Sequence, residues 1–138
     1  MVTLRQAHYD EIVSHALSKP DQEVCGVLGG RDGASELLFR AGNTAENPRT
    51  RFEMDSRDIL HAIRTIEDGD ADLIGFYHSH THTQAYPSPT DVAMWQGTWG
   101  DDALCFICSL MDEERPQLRA FHISTNGAIA EEPISVSE

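Results

Sequence analysis

Two histidines one residue apart, His78 and His80, are followed after a gap of seven residues by Ser88-x-x-Asp91. Imidazole nitrogens and a carboxylate are ordinary zinc ligands. Three of them leave a fourth position for water, as in catalytic rather than structural zinc sites. The hydrophobic run Leu73-Ile74-Gly75-Phe76-Tyr77 ahead of the pair predicts a strand. Successive strand side chains alternate faces, so His78 and His80 point one way and Ser79 the other. Ser88-Pro89-Thr90-Asp91 predicts a helix start, with serine as N-cap, proline as the first helical residue and an acid in the first turn. Such a cap also fixes the direction of the Asp91 side chain. Taken singly, the histidine pair reads as loop residues and the Ser88–Asp91 stretch as a cap. Strand, pair, turn and capped acid in succession predict half of a metal site completed by Asp91.

Upstream, Glu23 leads the stretch Glu23-Val24-Cys25-Gly26-Val27-Leu28-Gly29-Gly30. On its own Glu23 reads as a solvated carboxylate in a loop or at a strand edge. Together the five residues Glu23, His78, His80, Ser88 and Asp91 resemble the signature of the JAMM (MPN+) zinc metallohydrolase family. The resemblance runs from Tyr9 to the strands after residue 103. Within the family, His-Ser-His-Thr followed by Ala85-Tyr86-Pro87-Ser88 and Thr90-Asp91-Val92 is similar to the bacterial Mec+ branch, as is the closing stretch Gly127 to Pro133. Those enzymes release cysteine from the C-terminus of a ubiquitin-like sulfur-carrier protein.

The resemblance implies an α/β (α+β) fold of the JAMM/MPN, cytidine deaminase-like type, with a central mixed sheet flanked by helices. It implies one zinc per chain on His78, His80 and Asp91, and hydrolysis of an amide by a zinc-activated water. Glu23 then acts as general base and Ser88 as a hydroxyl donor to the oxyanion. Ser79 is given no chemical role beyond supporting the loop. The implied partner is a sulfur carrier whose glycine-rich tail binds extended, pairing with a strand edge near the metal, along Leu73–Tyr77 or its neighbours. An isopeptidase that removes ubiquitin-like tags from lysine is the nearest alternative, and a metal-free MPN scaffold a more distant one. Many relatives have proline after the second histidine, where this chain has Thr81 and then His82. His82 reads as an exposed loop residue, with a substrate contact as the alternative.

The composition restricts partners. Ten basic and 23 acidic residues among 138 give a formal net charge of −13, which repels phosphate backbones and anionic membranes alike. No apolar run reaches the ~20 residues that span a bilayer, and no signal pattern opens the chain. A soluble, cytoplasmic protein of one domain, residues 1–138, is the expectation. Three cysteines predict no disulfide framework. Cys105 and Cys108 form a C-x-x-C inside an apolar strand, where positions three apart face opposite sides, so they are expected to be buried separately. A nucleobase deaminase would need H-x-E and P-C-x-x-C, and neither is present.

The remaining elements must position these groups. Tyr9, Ile12, Val13, Ala16 and Leu17 have amphipathic helical spacing, ending near Ser18. A strand from Glu23 to Leu28 turns at Arg31-Asp32-Gly33-Ala34 and returns through Glu36–Arg40. The stretch from Gly42 to Arg51 has loop chemistry. Asp55 or Ser56 caps a helix with Ile59, Leu60, Ile63 and Ile66 on one face, closed by Glu67-Asp68-Gly69-Asp70. After Asp91 the helix continues through Val92, Trp95 and Trp99 to Gly100, the tryptophans being core or interface residues. Strands are expected near 103–111, 117–124 and 128–134, then a frayed tail. His8, His15, His61 and His122 read as structural or exposed. The oligomeric state is not encoded in any of these features.

Overall fold

In the computed structural model the described residues are 1–96, 98–99 and 103–138. In chain order the elements are β1 (Val2–Arg5), α1 (Gln6–Ser18), β2 (Cys25–Arg31), β3 (Ala34–Ala41), α2 (Ser56–Asp68), β4 (Asp72–His80), α3 (Pro89–Gln96), β5 (Leu104–Ser109), β6 (Gln117–Ile123), β7 (Ile129–Glu132) and β8 (Ile134–Ser137). The strands form one mixed sheet in the order β7-β6-β5-β4-β2-β3-β1-β8. β7 and β8 are separated only by Pro133 yet lie at opposite edges, so the sheet must curl until its edges nearly meet. The Val2 N–H donates to the Pro133 carbonyl at that seam (3.0 Å), and the N-terminal amine pairs with Glu132.

Two expectations fail at this seam. The tail beyond residue 133 is not frayed: Ile134–Ser137 is β8, paired in parallel with Val2–Arg5. The predicted strand 128–134 is therefore two strands. Proline has no N–H for the ladder and allows the chain to change edges there. β1 was also missed, because four residues of apolar–polar alternation (Val2, Thr3, Leu4, Arg5) give only a short signal.

The sheet has two packed faces. Val2, Leu4, Leu28, Tyr77, Phe106, Cys108 and Leu118 pack with Ile12 and Ala16 of α1. Val27, Phe76, Cys105, Ile107, Phe121 and Ile123 pack with Ala62 and Ile66 of α2 and Trp95 of α3. Cys105 and Cys108 lie in different cores, as the strand argument predicts, and all three cysteines are free and buried. Two glycines of β2 permit this packing. A Cβ on Gly26 would lie 2.1 Å from the Tyr77 ring, and one on Gly29 would lie 2.6 Å from Ile66.

The helix faces differ from expectation in detail. Leu17 and Leu60 are exposed, and His15 and Ala62 take the buried positions. Asp55 caps α2 by accepting the Arg57 N–H at 2.8 Å. Trp99 lies beyond α3, in a turn where its N–H reaches the Trp95 carbonyl, and Gly100 lies outside the described residues. Trp95 is 2% exposed, and both tryptophan rings pack on Phe76. Of the two expected roles, core and interface, this packing gives core for both.

Candidate metal centre

β4 is an interior strand. It pairs antiparallel with β2, where His78 faces Cys25, and parallel with β5, where His80 faces Ser109. Both of its edges are occupied, as are those of β2 and β5, so an extended tail cannot add to the Leu73–Tyr77 strand or those neighbours. The strand continues through His80, and the two imidazoles share one face as predicted. It stops there: Leu110 N–H caps the His80 carbonyl (2.9 Å), the chain turns, and His82 is exposed.

Asp91 comes from the first turn of α3. Ser88 Oγ accepts the Asp91 N–H (3.1 Å) while Asp91 Oδ2 accepts the Ser88 N–H (3.0 Å), a reciprocal cap that fixes the carboxylate. That oxygen lies 3.2 Å from His78 Nε2 and 3.0 Å from His80 Nε2, and the two Nε2 atoms are 3.2 Å apart. All three residues are buried. His80 Nδ1 is 2.9 Å from the Gln84 carbonyl oxygen, which can only accept. Nδ1 therefore carries the proton, and Nε2 of the neutral ring aims a lone pair inward. His80 Nε2 and Asp91 Oδ2 are thus two acceptors brought together out of water, with His78 Nε2 beside both, and a proton or a cation between them relieves the contact. The donor set fits a divalent metal with open positions, and these residues could hold one.

Where a proton rather than a cation is taken up, the imidazoles become donors: burial would raise the Asp91 carboxyl, but the His78 charge, hydrogen bonds from both imidazoles and the Ser88 N–H hold it well below the usual carboxylate range. Burial would lower His80, yet its bonds to Asp91 and Gln84 and the charges of Asp91 and Glu23 raise it overall. Glu23, 7% exposed, is pushed up to about 7, chiefly by burial; His80 lowers it and Asp91 raises it further. The solvated reading of Glu23 is thereby excluded.

Glu23 stands just before β2 and is held through its backbone. Its N–H donates to the Pro48 carbonyl (2.6 Å) and its carbonyl accepts from Asn43 Nδ2 (2.9 Å). Ser79, on the face of β4 away from the imidazoles, accepts the next N–H, that of Val24, at 2.8 Å. Ser79 thus does support the loop. Phe52 stacks on His78 with ring centroids 4.3 Å apart, and Thr81 donates to the Arg49 carbonyl. Phe52 and Asn43 escaped sequence reasoning because both sit in or beside a stretch with loop composition and no periodicity. An aromatic stranded in such a stretch was the one available signal.

Residues 5–124 match the model of prokaryotic homologues of the JAB domain. The chain belongs to that family. It is 36% identical to the CysO-cysteine peptidase of Mycobacterium tuberculosis over 139 aligned positions, covering 100% of this chain and 92% of the relative. It is 38% identical over 96 residues to the desampylase of Haloferax volcanii, covering 64% of this chain and 69% of that one. Among solved structures, protein DSY2949 from Desulfitobacterium hafniense superposes with a TM-score of 0.86 at 31% identity, over 100% of this chain and 94% of that one. The expected mixed sheet flanked by helices is borne out, as is the family.

Proposed function

We propose that this protein is a zinc hydrolase that cuts the amide at the C-terminus of a ubiquitin-like sulfur-carrier protein and releases cysteine. What carries the reading is full-length similarity to a CysO-cysteine peptidase in a chain with a buried His-His-Asp cluster. One zinc per chain would sit on His78, His80 and Asp91. When bound there, zinc supplies Lewis-acid polarisation and brings the pKa of a water near 7.

The protein's own residues do the rest. Glu23, a carboxyl that burial pushes up from its ordinary value, accepts the proton of the attacking water and returns it to the departing amine; a group that must do both works best with a pKa near ambient pH. Ser88 Oγ accepts the Asp91 N–H, which leaves its own proton free to donate to the oxyanion. The reciprocal cap keeps the Asp91 oxygen and the Ser88 hydroxyl in fixed relation. Burial strengthens each of these interactions by excluding competing water.

The carrier would present a glycine-rich tail, a slim segment suited to approaching so buried a cluster. Since β4 and its neighbours have no free edge, the tail docks by other contacts than those first expected. The likeness to a desampylase favours a second reading, cleavage of a lysine-linked conjugate. Mass spectrometry of a carrier bearing a C-terminal cysteine separates the two. Loss of one cysteinyl residue with wild type, and not with Glu23→Gln or chelator-treated protein, is the expected result. Survival of that adduct beside cleavage of a lysine-linked conjugate would transfer the reading to the isopeptidase.

A further inference from the structure

Asn43 makes the full set of hydrogen bonds open to an amide side chain. Nδ2 donates to the carbonyls of Glu23 (2.9 Å) and Arg51 (3.0 Å), and Oδ1 accepts the N–H groups of Ala45 (3.0 Å) and Glu53 (2.9 Å). No other amino acid offers two donors and two acceptors in that span. The segment it organises is short and otherwise held by one bridge between Asn43 and Met54, the Thr44 N–H and hydroxyl on the Glu53 carbonyl, a turn in which the Arg51 N–H meets the Asn47 carbonyl at 3.1 Å, and the Thr81 hydroxyl on the Arg49 carbonyl. That segment then touches the metal centre at two more points, through the Pro48 carbonyl on the Glu23 N–H and through Phe52 stacked on His78.

We infer that Asn43 is a positioning residue. It ties the backbone of Glu23 to residues 44–53, so that the carboxylate and the ring covering His78 are held as one unit. The inference rests on Glu23 being the base of the proposed reaction. Its physical basis is leverage. A base must lie within hydrogen-bond reach of a water proton, and a displacement near 1 Å can cost about 100-fold in rate. Glu23 precedes β2, so the sheet ladder does not fix it. Asn43 and Pro48 grip it from the segment, and Ser79 grips the residue after it.

Asn43→Asp tests this, because it keeps the acceptor for Ala45 and Glu53 and removes the donors to Glu23 and Arg51. Thr44→Ala is the control: it deletes a hydroxyl bond to the Glu53 carbonyl in the same segment without touching Glu23. The zinc-loaded Asp variant should keep full zinc content and a KM within about twofold, while kcat falls roughly 10- to 100-fold. Thr44→Ala should change neither constant beyond about twofold. A wild-type kcat in folded, zinc-loaded Asn43→Asp would overturn the inference.

A second readout needs neither substrate nor variant. In native-state hydrogen exchange of the wild type, the amides of Glu23, Ala45 and Glu53 should open together, with one shared dependence on denaturant. If Glu23 opens independently of the other two, the single unit does not exist. This readout holds even if the wild type cleaves no carrier, an outcome that would overturn the proposed reaction alone.

Discussion

Tyr77 and His78 are consecutive on β4 and almost wholly buried, yet they face opposite sides of the sheet and do opposite things. On the α1 side, the Tyr77 hydroxyl meets His15 Nδ1 at 2.7 Å. One hydroxyl and one ring nitrogen, each able to complement the other, make a closed pair. Burial, with Arg40 adding to it, lowers His15 to about 4 and keeps it neutral, and burial pushes the Tyr77 phenol above its ordinary range. On the other side, His80 Nε2 and Asp91 Oδ2, both acceptors, converge with His78 Nε2 on one point. A buried imidazole is therefore inert or reactive according to whether its neighbours complete its hydrogen bonding, and burial alone does not distinguish the cases.

The largest expected effect breaks the open cluster. Asp91→Ala should abolish stoichiometric zinc binding and reduce turnover to background, read by elemental analysis and by the cysteine-release assay. Next, Glu23→Gln should keep zinc while kcat drops on the order of 10²- to 10⁴-fold, the usual contribution of a general base. Ser88→Ala should follow, with a loss of about 10²- to 10³-fold in kcat and roughly 1 kcal/mol of stability from the lost cap. Full activity in that variant would remove Ser88 from the chemistry and leave it a cap only.

The closed pair should respond in the reverse way. Tyr77→Phe leaves His15 Nδ1 buried without its partner and should destabilise by about 1–3 kcal/mol, seen by urea unfolding, with kcat and zinc content unchanged. Because the folded pKa of His15 lies below its unfolded value near 6.5, the unfolded chain binds more protons between the two. Stability from this group is thus present above about pH 6.5 and is lost as pH falls toward 4. Relative to His15→Gln, the wild type should lose on the order of 2 kcal/mol between pH 7 and pH 4.5. Parallel pH profiles for the two proteins would contradict the neutral, buried His15.

These two faces also differ in how well the sequence announced them. The metal side was legible because its residues are local in the chain: an alternating strand puts His78 and His80 together, and a cap eight residues after His80 aims Asp91. The hairpin of β2 and β3 was equally local, its turn marked by Asp32 and Gly33, both at positive φ. What was not legible depends on distant pairing. His15 and Tyr77 are 62 residues apart, and neither belongs to any pattern. The β1–β8 seam joins the two ends of the chain, and no local rule announces it. The grip on Glu23 arises from a segment held by side-chain and turn hydrogen bonds, those of Asn43 chief among them, rather than by periodic structure.

X-ray absorption at the zinc edge of the loaded protein tests the central claim most directly, that the even-numbered side of β4 is a metal centre made of two imidazoles and a carboxylate. The account predicts a shell of nitrogen and oxygen only, with distances of about 2.0–2.2 Å. A sulfur at about 2.3 Å would contradict it, since it would bring in a cysteine such as Cys25, which lies opposite His78 in register.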